Sequence, residues 1–204
     1  MGREDSSRAR LLVAAEELLR EAGMAGTGIK DIVARSGAPI GSVYHHFPGG
    51  KSQLVAESLQ IHAEKSRRLL EHFFDGKRSA ASALRLLFDT AADGFERAGA
   101  NKACAIGTVT LDLSDADDAL REICRSTFED WTTTIARTLP WRDERSRHSF
   151  ARTVVATLEG AFVLARATRS GDPFRDAGPW LASIAASKKE KHGRTHRKNH
   201  PVDV

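Results

Sequence analysis

Polar donors gather in one short stretch of this chain: Ser42, Tyr44, His45, His46 and Lys51, with the apolar Ile40 just ahead of them. Hydroxyl, phenol, imidazole and ammonium groups so placed suit hydrogen bonding to phosphates and base edges. They do not make a bond-breaking centre. Elsewhere no nucleophile stands beside a base, no cluster has metal-ligand spacing and no phosphate loop occurs. His192, His196 and His200 recur every four residues, the spacing of metal ligands on a helix, but Gly193 and Pro201 argue against a stable helix there. We therefore expect no enzyme activity, no metal and no cofactor.

The donors need a scaffold, and residues 28–47 supply one. Ile32 and Val33 are apolar on a first short helix. Gly37 stands where that helix must stop in a left-handed turn, which costs glycine little. Pro39 then opens a second helix, its missing N–H no loss in a first turn. That helix presents Val43, Tyr44 and Phe47 at spacings of three and four, and Ile40, Ser42 and His45 point elsewhere. Helix, glycine corner and short second helix form the layout of a DNA-reading helix-turn-helix. Val43 and Phe47 are expected to pack and fix the angle of the second helix.

Around this stretch the chain reads as all-α, with about nine helices and no strand signal. An amphipathic helix over 6–22 places Leu12, Ala15, Leu19 and Ala22 on one face, and Gly23 ends it. Pro48-Gly49-Gly50 breaks the recognition helix, and a longer helix runs from Lys51 to about Phe74 with Val55, Leu59, His62, Leu69 and Phe73 as its stripe. Further helices are predicted over about 80–98, 108–113, 118–139 and 144–169. A last one follows Ser170-Gly171-Asp172-Pro173 and reaches about Ala186, with Pro179 expected to kink it or delay its start to Gly178. The domains are then 4–64 for DNA binding, 65–187 for a helical bundle, and 188–204 as a basic disordered tail.

The 204 residues carry 31 Lys/Arg and 27 Asp/Glu, a net charge of +4. Residues 188–204 hold six Lys/Arg and two acidic residues, a surplus equal to that whole-chain total, so residues 1–187 balance. Global charge is thus no argument that the body binds DNA; any such face must be a local patch. No apolar run approaches a membrane span and the N-terminus is polar, so a cytoplasmic protein with no membrane partner is expected. Cys104 and Cys124 are too few for a disulfide framework, and buried, inert thiols are the expectation for both.

Ile32-Val33-Ala34, Gly37, Gly41-Ser42-Val43-Tyr44-His45-His46-Phe47, Lys51 and Leu54 together resemble the helix-turn-helix of the TetR family of bacterial transcriptional regulators. The run Gly37-Ala38-Pro39-Ile40 through Gly49-Gly50-Lys51, Cys104-Ala105-Ile106-Gly107 and Glu159-Gly160-Ala161 are similar to its LmrA/YxaF branch. The resemblance implies a homodimer on a double-stranded DNA operator, with a small-molecule pocket in a variable C-terminal domain. Its implied DNA-binding set is Thr27, Gly28, Lys30, Pro39, Ile40, Gly41, Ser42, Tyr44, His45, His46 and Lys51. Within it Tyr44, His46 and Lys51 are assigned to phosphates, and Ile40, Ser42 and His45 to base edges. Two departures stand out: Pro39 replaces a polar cap of the recognition helix, and Gly28 stands where Thr or Ser is common.

For the bundle, His62, Phe73, Phe88, Phe95, Cys104, Phe128, Trp131 and Phe162 are the candidate lining of a pocket for a small apolar or aromatic effector. Leu158, Gly160, Ala161, Phe162 and Ala165 are the candidate dimer face, the small residues allowing close approach. The expectation is a repressor released from a palindromic operator by its effector. A ligand-independent DNA-binding protein with a plain dimer core and a transcriptional activator are the alternatives.

Overall fold

A computed structural model describes residues 3–193. Among them, nine helices and no strands occur: α1 (Arg3–Ala22), α2 (Ile29–Ser36), α3 (Gly41–His46), α4 (Gly50–Phe73), α5 (Ala80–Arg97), α6 (Ala105–Asp112), α7 (Asp118–Thr138), α8 (Glu144–Thr168) and α9 (Asp172–Gly193).

Two apolar cores sit at the two ends of the chain. The smaller joins Leu11, Leu12, Ala15 and Leu18 of α1 to Ile32, Val43, Phe47 and Leu54, so the first three helices close over the start of α4. The larger fills the space among α4–α9 with Leu59, Leu84, Phe88, Ile106, Trp131, Val154 and Phe174. The domain boundary expected at residues 64–65 falls inside α4, which continues unbroken from one core into the other.

The glycine corner forms as the sequence suggests, and two caps join it. Gly37 takes φ 62° and its N–H bonds to Val33 O, closing α2 in the left-handed turn. The Asp143 and Ser79 side chains accept from the N–H groups of Ser146 and Ser82 and cap α8 and α5.

Three expectations are corrected. Pro39 lies ahead of α3 rather than in it: the helix proper begins at Gly41, led in by bonds from Ser42 N–H to Pro39 O and Val43 N–H to Ile40 O. Helix α6 begins at Ala105, earlier than Thr108. Pro179 does not delay α9, which runs from Asp172 with Pro173 in its first turn. Pro179 is exposed, so the carbonyl that loses its donor can face water. Its neighbour Gly178 faces inward, where a Cβ would stand 2.8 Å from Phe88 Cβ, and this bare spot lets α9 seat on α5. Helix α9 also passes Ala186 and reaches Gly193, so the basic segment is helical at its start; residues 194–204 of the expected tail lie outside the described residues.

Candidate functional site

The reading head forms first. Val43 and Phe47 are fully buried, so α3 is anchored by its inner side, and the Arg8 guanidinium lies 5.3 Å over the Phe47 ring. The outer side keeps large groups in solvent: Ile40 is 52% exposed and Tyr44 62%. Pro39, Gly41 and His45 are exposed beside them, Ser42 and His46 are half-buried, and Lys30 of α2 is exposed. An isolated exposed isoleucine needs no explanation, but next to a phenol and two imidazoles on one short helix it fits a surface made to be covered.

Three members of the expected DNA-binding set do structural work. Thr27 is 1% exposed and its hydroxyl donates to Gly23 O at 2.6 Å, which removes it from direct DNA contact. Gly28 is the N-cap of α2, and its N–H donates to Asp31 Oδ2 at 3.0 Å. Lys51 is half-buried and its Nζ donates to Met24 O at 2.7 Å, tying the start of α4 to the α1–α2 connection. An ammonium has three donors, so Lys51 retains capacity for a phosphate.

A cavity of about 280 Å³ lies among α4, α5, α7 and α8, with Arg20 of α1 also on its wall. Of the expected lining, His62, Phe95, Cys104, Trp131 and Phe162 are on its wall. Phe73, Phe88 and Phe128 are not. Phe73 and Phe88 are buried in the core, the latter beneath α9, and Phe128 sets its edge against the Trp131 ring at 5.5 Å. The wall also holds Arg20 of α1, Leu69 and Leu70 of α4, Leu87 of α5 and Glu159 of α8.

Glu159 is the residue that the sequence reading missed as a site group. Its Oε1 is fully enclosed and has no hydrogen-bond partner. Burial pushes its carboxyl up to about 7, against a smaller opposing effect of the Cys104 thiol as hydrogen-bond donor. The other carboxyl oxygen has room because residue 107 is glycine, where a Cβ would lie 2.1 Å from Oε2. Burial, and after it the Glu159 charge, raise the Cys104 thiol well above its ordinary range; burial also raises Cys124, so both thiols are poorly suited to oxidation. The only hint in the sequence was a lone acid on an apolar face of a helix.

The polar wall reaches the reading head. His62 Nε2 is 3.9 Å from Cys104 Sγ, and Nδ1 is 3.0 Å from Glu16 Oε1 on α1. Lys65 Nζ donates to Glu16 Oε2 at 2.5 Å. Burial opposes ionisation of Glu16, yet the bonds from His62 and Lys65 outweigh it and hold the carboxyl near 2. Arg20 and Ala103 exchange bonds: Arg20 Nε donates to Ala103 O at 3.0 Å, and Ala103 N–H donates to Arg20 O at 2.9 Å. Thr108 Oγ1 donates to Leu19 O at 2.8 Å.

The expected dimer face is corrected in part. Ala161 and Ala165 are buried in the larger core, and Leu158 and Phe162 pack against it, Phe162 with its ring 4.8 Å from that of Phe174. These four are turned into their own chain. Gly160 is exposed with open space where a Cβ would be. Beside it the outward face carries Val163 (62% exposed), Leu164, Trp180 (75%) and Ile184 on α8 and α9.

A helix-turn-helix closing over a long helix that enters a second bundle is the architecture of a helical DNA-binding regulator. Residues 11–58 match the family described as bacterial regulatory proteins, tetR family, and residues 80–179 the LmrA/YxaF-like transcriptional regulator C-terminal domain. The chain is 30% identical over 170 residues to the HTH-type transcriptional regulator LmrA of Bacillus subtilis, covering 82% of this chain and 90% of that protein. It is 32% identical over 177 residues to the HTH-type regulator Rv0196 of Mycobacterium tuberculosis, covering 82% and 88%. The crystal structure of a regulatory protein TetR from Rhodobacter sphaeroides shares the fold, with a TM-score of 0.79 at 23% identity over 87% of this chain and 97% of that one. The chain belongs to the TetR family and is a DNA-binding transcriptional regulator with an LmrA/YxaF-like C-terminal domain. Its relatives are transcriptional regulators, not enzymes.

Proposed function

We propose that the chain is a homodimeric repressor that occupies a near-palindromic operator and leaves it when a small apolar effector fills the cavity. The observation that carries this reading is the wall of that cavity: Arg20 of α1 and His62 of α4 stand on it beside Trp131 and Glu159 of the bundle. An occupant would press directly on helices that hold the reading head.

The outward face of α8 and α9, with Gly160, Val163, Leu164, Trp180 and Ile184, supports pairing about a two-fold axis. Such a pair would set two α3 helices about one DNA turn, roughly 34 Å, apart. Tyr44, His46, Lys30 and Lys51 would then hold phosphates, and Ile40, Ser42 and His45 would meet base edges. The site of action is the compartment that holds the DNA, the cytoplasm.

The test is a selection of bound sequences from genomic DNA, followed by titration of the recovered operator with and without apolar compounds that raise the melting temperature of the protein. A coupling of about 1–3 kcal/mol weakens DNA binding roughly 5–150-fold, and operator must weaken ligand binding by the same factor. Ligand affinity unchanged by operator would instead favour a DNA-binding protein whose bundle only dimerises.

A further inference from the structure

Resting on the reading of the cavity as an effector site, we propose that its effector is an apolar, aromatic-sized molecule bearing a protonated amine, with the ammonium seated on the Glu159 carboxylate. The cavity of about 280 Å³ is near the lower end of small-ligand sites, and leucine and aromatic side chains dominate its wall. Glu159 stands on that wall, and its enclosed Oε1 has no hydrogen-bond partner in the chain, so the carboxyl is under-satisfied. Gly107 leaves the space that the carboxylate occupies, since any Cβ there would collide with Oε2.

The surrounding charges favour a cation over other donors. The titratable and charged groups on the wall are Arg20 of α1, His62 of α4, Arg97 of α5 and Cys104 ahead of α6. Arg20 Nε is spent on Ala103 O, and Arg97 is exposed at the rim. Burial, opposed by the Cys104 thiol, sets the ionisation of the Glu159 carboxyl. Among the described residues no group is paired with Oε1 of this carboxylate. A neutral hydroxyl would leave the carboxylate charge uncompensated, whereas an ammonium compensates it. The binding step balances simply. Below about pH 7 Glu159 gives its proton to solvent as the ammonium docks, and above it the carboxylate is already formed.

The experiment compares two probes of one shape, 1-naphthylmethylamine and 1-naphthylmethanol, on the full-length protein by calorimetry. At pH 8 the amine is expected to bind at least tenfold more tightly. Its affinity should fall by up to tenfold for each pH unit below about 7 and level off above it, short of the pKa of the amine itself. Glu159→Gln should abolish both the preference and the pH dependence. Gly107→Ala, which crowds Oε2, should weaken the preference without touching the carboxyl chemistry. Equal binding of the two probes, binding of neither, or a preference that survives Glu159→Gln overturns the proposal. Operator release is read separately. An amine that binds as expected but leaves the operator complex intact refutes the effector reading alone. An alcohol that releases operator as well as the amine does refutes the ammonium proposal alone.

Discussion

His62 Nδ1 lies 3.0 Å from Glu16 Oε1, so a residue on the cavity wall holds a carboxylate of the first helix of the reading head. The same imidazole faces Cys104 Sγ at 3.9 Å on its other side. A polar chain therefore runs from the bundle through α4 to α1. Glu16 is 9% exposed and has only His62 and Lys65 to offset its burial.

This contact should carry communication. His62→Ala is expected to leave ligand and operator binding each within a few-fold of wild type but to cut their mutual coupling at least threefold. Parallel titrations, ligand with and without operator, measure it. Full coupling in the variant would remove His62 from the path.

Lys51 and His45 should separate by what they change. Lys51→Ala removes a charged donor from Met24 O and is expected to cost about 1–2 kcal/mol of unfolding free energy while weakening all DNA sequences alike. The salt slope of binding should also fall by about one. His45→Ala should leave stability and the salt slope unchanged and alter base preference. Denaturant titration and binding at several salt concentrations check both. A Lys51→Ala protein of unchanged stability would show that the Met24 bond contributes nothing.

Trp180 tests the pairing face. Leu164→Glu or Trp180→Glu puts a charge on the outward surface without touching the core, so the fold should persist while the dimer weakens by tenfold or more. Sedimentation would show monomers, and operator affinity should drop with dimer loss. Intact dimers in both variants would move the interface elsewhere.

Glu159 makes stability depend on pH in the opposite sense to an ordinary ion-paired acid. Its folded-state carboxyl titrates near 7 rather than 4.5. Its contribution is full below 4.5 and is lost as pH rises through about 7. Glu159→Gln should therefore stabilise the protein by about 1–3 kcal/mol at pH 8 and change little at pH 4.5. Urea unfolding at the two pH values measures this. An equal gain at both would mean that the charge is not the cause.

The helices were legible because their ends carry distinct chemistry. Gly37 had to be left-handed, and the spacing of Val43 and Phe47 told which side of α3 is buried. Helix α9 was misread at Pro179 because the penalty of an internal proline depends on whether the freed carbonyl meets water, which is a tertiary fact. The buried side of α8 was misread for a related reason. Helix α8 is apolar on two sides, and periodicity does not say which side turns to its own chain: Ala161 and Ala165 went inward, Val163 and Leu164 outward. Phe88 shows the same limit in the cavity, since an aromatic at helical spacing fills core and lines pockets equally well. Glu159 was hidden because a single acid on a helix is usually solvated, and only the packing of α6 over it, at Gly107, makes it otherwise.

Helix α4 has a mechanical consequence. It is one rod of 24 residues, about 36 Å long, and His62 is its thirteenth residue. A rod tilting about its midpoint moves its two ends by equal amounts in opposite directions, a see-saw with a ratio of one. A displacement forced on its Phe73 end would thus reach Lys51 at full size but not enlarged. In the proposed dimer, two such rods would face each other, and the gap between the reading heads would change by twice what either one moves.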